Sequence, residues 1–139
     1  MGRPGLAVDL HRLVETYRAA GVEVGLETDA DTSRLPLLVR GTLYRVVQEA
    51  LANAARYRTP GSPVKVCTTV DPGGVTVSVA NAGAPTRPSS SGGYGLTGLR
   101  EQVSAIGGTL RSGPDGGRWL VECRLPQDAS AVRPTLVTP

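Results

Sequence analysis

Residues 64–81 read VKVCTTVDPGGVTVSVAN. Two runs rich in β-branched residues stand on either side of a proline-glycine pair, which supplies the backbone angles of a tight reversal. The runs are therefore expected to pair as adjacent antiparallel strands. A second hairpin is expected further on, where TLRSG (109–113) and RWLVECRLP (118–126) flank PDGG (114–117).

Outside these hairpins the apolar spacing changes to three and four. GLAVDLHRLVETYRAAG (5–21) lines up Leu6, Leu10, Leu13, Val14 and Tyr17 and closes on Gly21, which predicts a helix over about Leu6–Ala20. VEVGLE (22–27) alternates Val22, Val24 and Leu26 with Glu23, Gly25 and Glu27, the pattern of a half-buried strand. TDADTSR (28–34) reads as a turn, and the principal helix is expected from about Pro36 to Tyr57, ended by Pro60, Gly61 and Pro63. LTGLREQVSAIGG (96–108) resumes helical spacing through Leu96, Leu99, Val103 and Ile106 and stops at Gly107. AGAPTRPSSSGGYG (82–95) has too few apolar groups to pack and is expected to be a mobile loop, suited to act as a lid. The expected fold is a two-layer α/β sandwich: a mixed, mostly antiparallel sheet with helices packed on one face. One domain is expected over residues 1–126, with QDASAVRPTLVTP (127–139) as a disordered tail.

Composition narrows the function. A chain of 139 residues can bury a core without staples, and its 40% hydrophobic and 19% charged residues suit a soluble globular protein. No run approaches the roughly 20 apolar residues of a spanning helix, and the N-terminus lacks a signal-peptide core, so no membrane contact is expected and the chain reads as cytoplasmic. Cys67 and Cys123 have no CxxC neighbour and are expected to be reduced, strand-borne thiols. A net charge of +3, without a basic run and with four tyrosines, one tryptophan and no phenylalanine, does not describe a nucleic-acid partner.

The principal helix carries the first chemical signal. At about 100° per residue Leu43, Val46, Val47, Ala50, Leu51 and Ala54 form one buried arc. Glu49 and Asn53 lie about 40° apart on its border, with Arg56 continuing the row. A carboxylate, a carboxamide and a guanidinium in one row offer an acid/base group, a neutral oxygen for a hard divalent cation and an anion clamp. Periodicity alone favours a plainer reading, a core helix with a solvated border. GGYGLTG (92–98) adds Gly93, Gly95 and Gly98 at a helix entry, where backbone amides can approach a polyphosphate, though a helix-entry turn needs glycines too. VANAGAP (79–85) ends a strand at Asn81 beside Gly83, which fits either a ligand's polar edge or a simple turn.

Taken in order, QEALANAARYR, VANAGAP and GGYGLTGLREQ resemble the N box and the two glycine boxes of the ATP-binding domain of sensor histidine kinases (the Bergerat fold), over about Gly5–Pro126. GLTGLREQ, then GGTL, then GPDGGRWLVECRLP is closest to the short-lid, NarL/DesK-like class of two-component kinases. The resemblance implies a catalytic ATP- and Mg²⁺-binding module that transfers the γ-phosphoryl group to a histidine on a separate dimerisation and phosphoacceptor domain, for relay to a response regulator. It implies that Glu49 polarises the attacking group, that Asn53 holds Mg²⁺, that Arg56 approaches the phosphates and that Gly83 lies under the adenine. Asn81, Gly93, Tyr94, Gly95, Leu96 and Gly98 complete the implied nucleotide site. Asn81 stands where the family has an aspartate, which lowers the expected strength of the bond to the adenine amino group. Tyr57 and Tyr94 stand where histidines are frequent. No acceptor segment precedes the motifs, so the module alone is expected to turn ATP over little, either free in the cytoplasm or as the cytosolic part of a membrane-anchored sensor. The alternatives are an anti-sigma-type serine/threonine kinase of the same superfamily and a nucleotide-sensing module that has lost catalysis.

Overall fold

The computed structural model of the chain describes residues 5–28, 32, 34–82 and 93–127. Within them eight elements follow in order: α1 (Leu6–Ala19), β1 (Val24–Thr28), α2 (Leu37–Tyr57), β2 (Val64–Asp71), β3 (Gly74–Ala82), α3 (Gly93–Ala105), β4 (Thr109–Asp115) and β5 (Arg118–Leu125). The strands lie in the order β1-β2-β3-β5-β4. Only β1 and β2 run parallel, joined across α2, and the other neighbours are antiparallel.

Alternation along the strands puts one row of side chains under the helices. Val64, Val66 and Thr68 of β2, Val75, Val77, Val79 and Asn81 of β3, and Val121, Cys123 and Leu125 of β5 are all buried. Leu6, Leu10, Leu13 and Val14 of α1, the apolar arc of α2 from Val39 to Ala54, and Leu96, Leu99 and Val103 of α3 close on them as a single core. The expected two-layer sandwich with a mixed, mostly antiparallel sheet is the fold observed.

Local chemistry fixes the element ends. Gly5 gives α1 no side-chain cap, and Thr32, from the following connection, supplies one: its Oγ1 accepts the Ala7 N–H at 3.1 Å. At the other end Gly21, at φ 92°, lets its own N–H reach Arg18 O and that of Val22 reach Tyr17 O. Val22 thereby spends its amide on the helix, and β1 begins two residues later than its apolar alternation suggests. Gly107, at φ 87°, closes α3 in the same way, with Gly108 N–H donating to Val103 O.

Two expected boundaries move. Gly93, Tyr94 and Gly95 belong to the first turn of α3 and not to a loop before it. Glycine is a poor helix former, but first-turn amides need no intrahelical partner, and burial of Leu96 and Leu99 draws the turn in. Pro114 and Asp115 pair with Trp119 and Arg118, so the second hairpin turns on Gly116 and Gly117 alone, at φ 57° and 83°. The expected lid loop over 83–92 and the tail over 128–139 lie outside the described residues. Gln127, the described residue of that tail, donates its Nε2 to Asp71 O.

Candidate active site

The C-terminal end of α2 is tied to the end of β3, where the Thr59 N–H donates to Ala82 O at 3.2 Å. Two carboxamides open at this end. Asn53, on α2, is 6% exposed and Asn81, the penultimate residue of β3, is 2% exposed. Asn53 sits four residues before Tyr57, the last residue of α2, about 6 Å from the helix end along the axis. Among the described residues the Asn53 side chain has no hydrogen-bond partner, and Asn81 spends only its Nδ2, on Ala82 O at 3.2 Å, leaving Oδ1 free. Two nearly buried carboxamides in one place, with amide atoms that the described residues leave unused, make a candidate ligand site.

Around them stand the other residues of the row. Glu49 is half-buried one turn before Asn53, and Arg56 is exposed, its guanidinium 5.7 Å from the Tyr57 ring centroid. The wheel is thus reproduced: the apolar arc faces the sheet, and the polar row runs along its edge toward the end of β3. Gly93, Tyr94 and Gly95 form the first turn of α3, which packs on α2. Leu96 is 7% exposed and part of the core, so only its backbone can serve a ligand. A side chain at Gly98 would meet nothing within 4 Å, so internal packing does not demand that glycine. Gly83 lies outside the described residues.

Two residues join the site that the sequence reading did not place there. Arg58, the C-cap of α2, donates Nη1 to Ala55 O at 2.6 Å while its buried Nε has no partner. Trp119 of β5 is directly opposite Asn81. Arg58 was detectable as a second basic position at the helix end, after Arg56; Trp119 was not, because only the β3–β5 pairing brings it here. A separate groove of about 350 Å³, lined by Asp9, Arg12, Leu37, Arg40, Gly41 and Tyr44, lies at the opposite end of α2. Its Asp9 and Arg40 satisfy each other, with Arg40 Nε 2.8 Å from Asp9 Oδ2, and it lacks the pair of carboxamides.

A divalent cation fits the donor set in a restricted way. Among the described residues no three His, Cys, Asp or Glu side chains cluster, so no all-protein cage exists. The unpaired amide oxygen of Asn53 does suit magnesium, which commonly takes one or two protein donors and completes its shell with phosphate oxygens and water.

The profile of the histidine kinase-, DNA gyrase B- and HSP90-like ATPases matches residues 39–129, from the first turn of α2 to beyond β5. The chain belongs to this ATPase family. Among its relatives, the sensor histidine kinase YxjM of Bacillus subtilis is 32% identical over 115 residues, 79% of this chain and 28% of its own length. The sensor histidine kinase LnrJ of the same organism is 29% identical over 110 residues, 78% of this chain and 27% of its own. The nitrate/nitrite sensor NarQ of Escherichia coli is 29% identical over 118 residues, 81% of this chain and 20% of its own. The chain thus spans about a quarter of the curated relatives it matches. In structure it superposes on the catalytic domain of the histidine kinase ThkA with a TM-score of 0.72 at 19% identity, covering 90% of this chain and 91% of that one. The blue-light activated histidine kinase of Erythrobacter litoralis gives a TM-score of 0.75 at 20% identity, covering 93% and 44%. At such identities the superpositions speak for the fold, which is the Bergerat fold. This ATPase-family chain is an ATP-binding catalytic module of the sensor-kinase kind, and relatives such as NarQ favour the NarL-type class over the anti-sigma-type alternative.

Proposed function

We propose that this ATPase-family module binds Mg²⁺-ATP between α2, the end of β3 and the start of α3, and delivers the γ-phosphoryl group to a histidine on a separate dimerisation domain. A response regulator then takes the group from that histidine. The observation that supports the site is the pair of nearly buried carboxamides, Asn53 and Asn81, at one end of the fold, with amide oxygens that no described residue engages.

Asn53 offers its amide oxygen to Mg²⁺, which when bound neutralises the charge on the phosphates. Glu49, one turn away on the same face, polarises the attacking group. Arg56 and the first-turn amides of α3, with the partial positive charge of that helix end, hold the phosphate oxygens. Asn81 accepts from the adenine amino group through Oδ1, a neutral bond weaker than a carboxylate's. Phosphoryl transfer asks for positioning and electrostatic neutralisation more than for covalent chemistry, and these residues supply that. Supply of the acceptor by another domain makes the isolated module a poor catalyst. Among the described residues no helix is long and apolar enough to cross a membrane, and we place the module in the cytoplasm, where ATP and a response regulator are available.

Calorimetric titration of ATP with and without Mg²⁺, on wild type and Asn53→Ala, tests the reading. Metal-dependent binding that the substitution abolishes is expected. A wild-type chain that takes up no nucleotide at millimolar concentration overturns it.

A further inference from the structure

We propose that Trp119 forms a wall of the base subsite, where its indole contacts the nucleobase beside Asn81 and favours purines over pyrimidines. The inference rests on the ATP-site reading above and adds a residue to it.

The register carries the argument. Asn81 of β3 is opposite Trp119 of β5, and Trp119 is opposite Pro114 of β4. Directly opposed residues project to the same face of a sheet. That face is the helix side, because the next pair on it, Val79 and Val121, is 2% exposed at each position. The indole therefore stands in the same row as the Asn81 carboxamide, at the end of the sheet where α2 terminates. Trp119 is half-buried and packs against the core, so the side chain is held at this end of the sheet and not left to swing in solvent.

Chemistry supports a base-facing role over a plug. Asn81 Oδ1 has no hydrogen-bond partner among the described residues, and an indole that closed the subsite would keep a ligand from supplying one. An indole beside an open subsite offers an aromatic surface to a base that Asn81 holds by a neutral hydrogen bond only. Ring contact with a base is tolerant of its hydrogen-bonding edge but grows with its area. A carboxamide can either donate or accept, so it separates adenine from guanine less sharply than a carboxylate does. Selection by area then falls to Trp119, and bicyclic bases gain most from it.

Trp119 is the single tryptophan of the chain, so its fluorescence reports this position alone. Mg²⁺-ATP, Mg²⁺-GTP and Mg²⁺-CTP are titrated into the wild type by fluorescence and, in parallel, by calorimetry, with Trp119→Leu and Trp119→Phe followed by calorimetry. The expected results are a saturable change in Trp119 emission with ATP, weaker binding of CTP than of either purine, and a loss of about tenfold in ATP affinity for Trp119→Leu, partly restored by Trp119→Phe. ATP binding by calorimetry without any change in emission, or with equal or tighter binding by a folded Trp119→Leu, overturns the inference and leaves the ATP site standing. If Trp119→Leu does not fold, the wild-type emission and Trp119→Phe decide. Absence of all nucleotide binding in the wild type overturns both readings.

Discussion

Thr68 carries a buried hydroxyl, 1% exposed, whose Oγ1 has no hydrogen-bond partner among the described residues. It lies on the helix side of β2, opposite Val77, well inside the apolar layer. Valine keeps the branched shape and removes the orphan oxygen, so Thr68→Val should be neutral or stabilising by up to about 1 kcal/mol in urea unfolding. A clear loss of stability would mean that the hydroxyl is satisfied in solution. Asn53 and Asn81 are nearly buried polar residues too, but they stand at the end of the sheet, where the proposed ligand can reach them. Position on an element separates the two cases, and one-dimensional sequence reveals only part of that. Helical geometry was enough to put Glu49 and Asn53 on the border of an apolar arc. It could not reveal that Asn53 is nearly enclosed, because that depends on what lies across the layer. Cys123 shows the apolar side of the same residue scale: burial pushes its thiol up to about 12, and it behaves as core.

At the scale of elements, the turn between β2 and β3 is bolted to β5. Asp71 accepts from Arg124 Nη1 at 2.9 Å and Nη2 at 2.8 Å, and from the N–H groups of Gly73 and Gly74 at 2.8 and 3.1 Å. The Arg124 hydrogen bonds, helped by the turn amides, hold the Asp71 carboxyl down at about 2, below the usual 3.8. A carboxyl whose folded value is depressed contributes stability that is fully present above its unfolded value and is lost as pH falls through the folded one. The difference in melting temperature between wild type and Asp71→Asn should therefore be steady above about pH 5 and shrink between pH 4 and 2. A difference that persists undiminished at pH 2 would contradict it. The hairpins and the first two helices were readable because their signals are local: alternation, three-four spacing, and Gly or Pro at the ends. The start of α3 was not, since its glycines argue for a loop and the burial that overrules them comes from Leu96 and Leu99 on the next turn.

On the scale of the molecule, α1 packs on β1 and α2 at one edge of the sheet, whereas the proposed nucleotide site lies over β3 and β5, separated from β1 by β2. His11, the only histidine, is exposed on α1 and remote from that site. Incubation with γ-labelled Mg²⁺-ATP should leave His11 unlabelled, checked by acid-labile phosphate on the chain; label on His11 would refute supply of the acceptor by another domain. The strand order also has a consequence for biosynthesis. All three motif-bearing segments leave the ribosome before β5, yet the partner of Asn81 across the sheet is on β5. A nascent chain can therefore display every recognisable box and still lack the strand opposite Asn81, so the proposed pocket waits on β5. If the proposed site is right, nucleotide capture by this module reports that folding has reached β5.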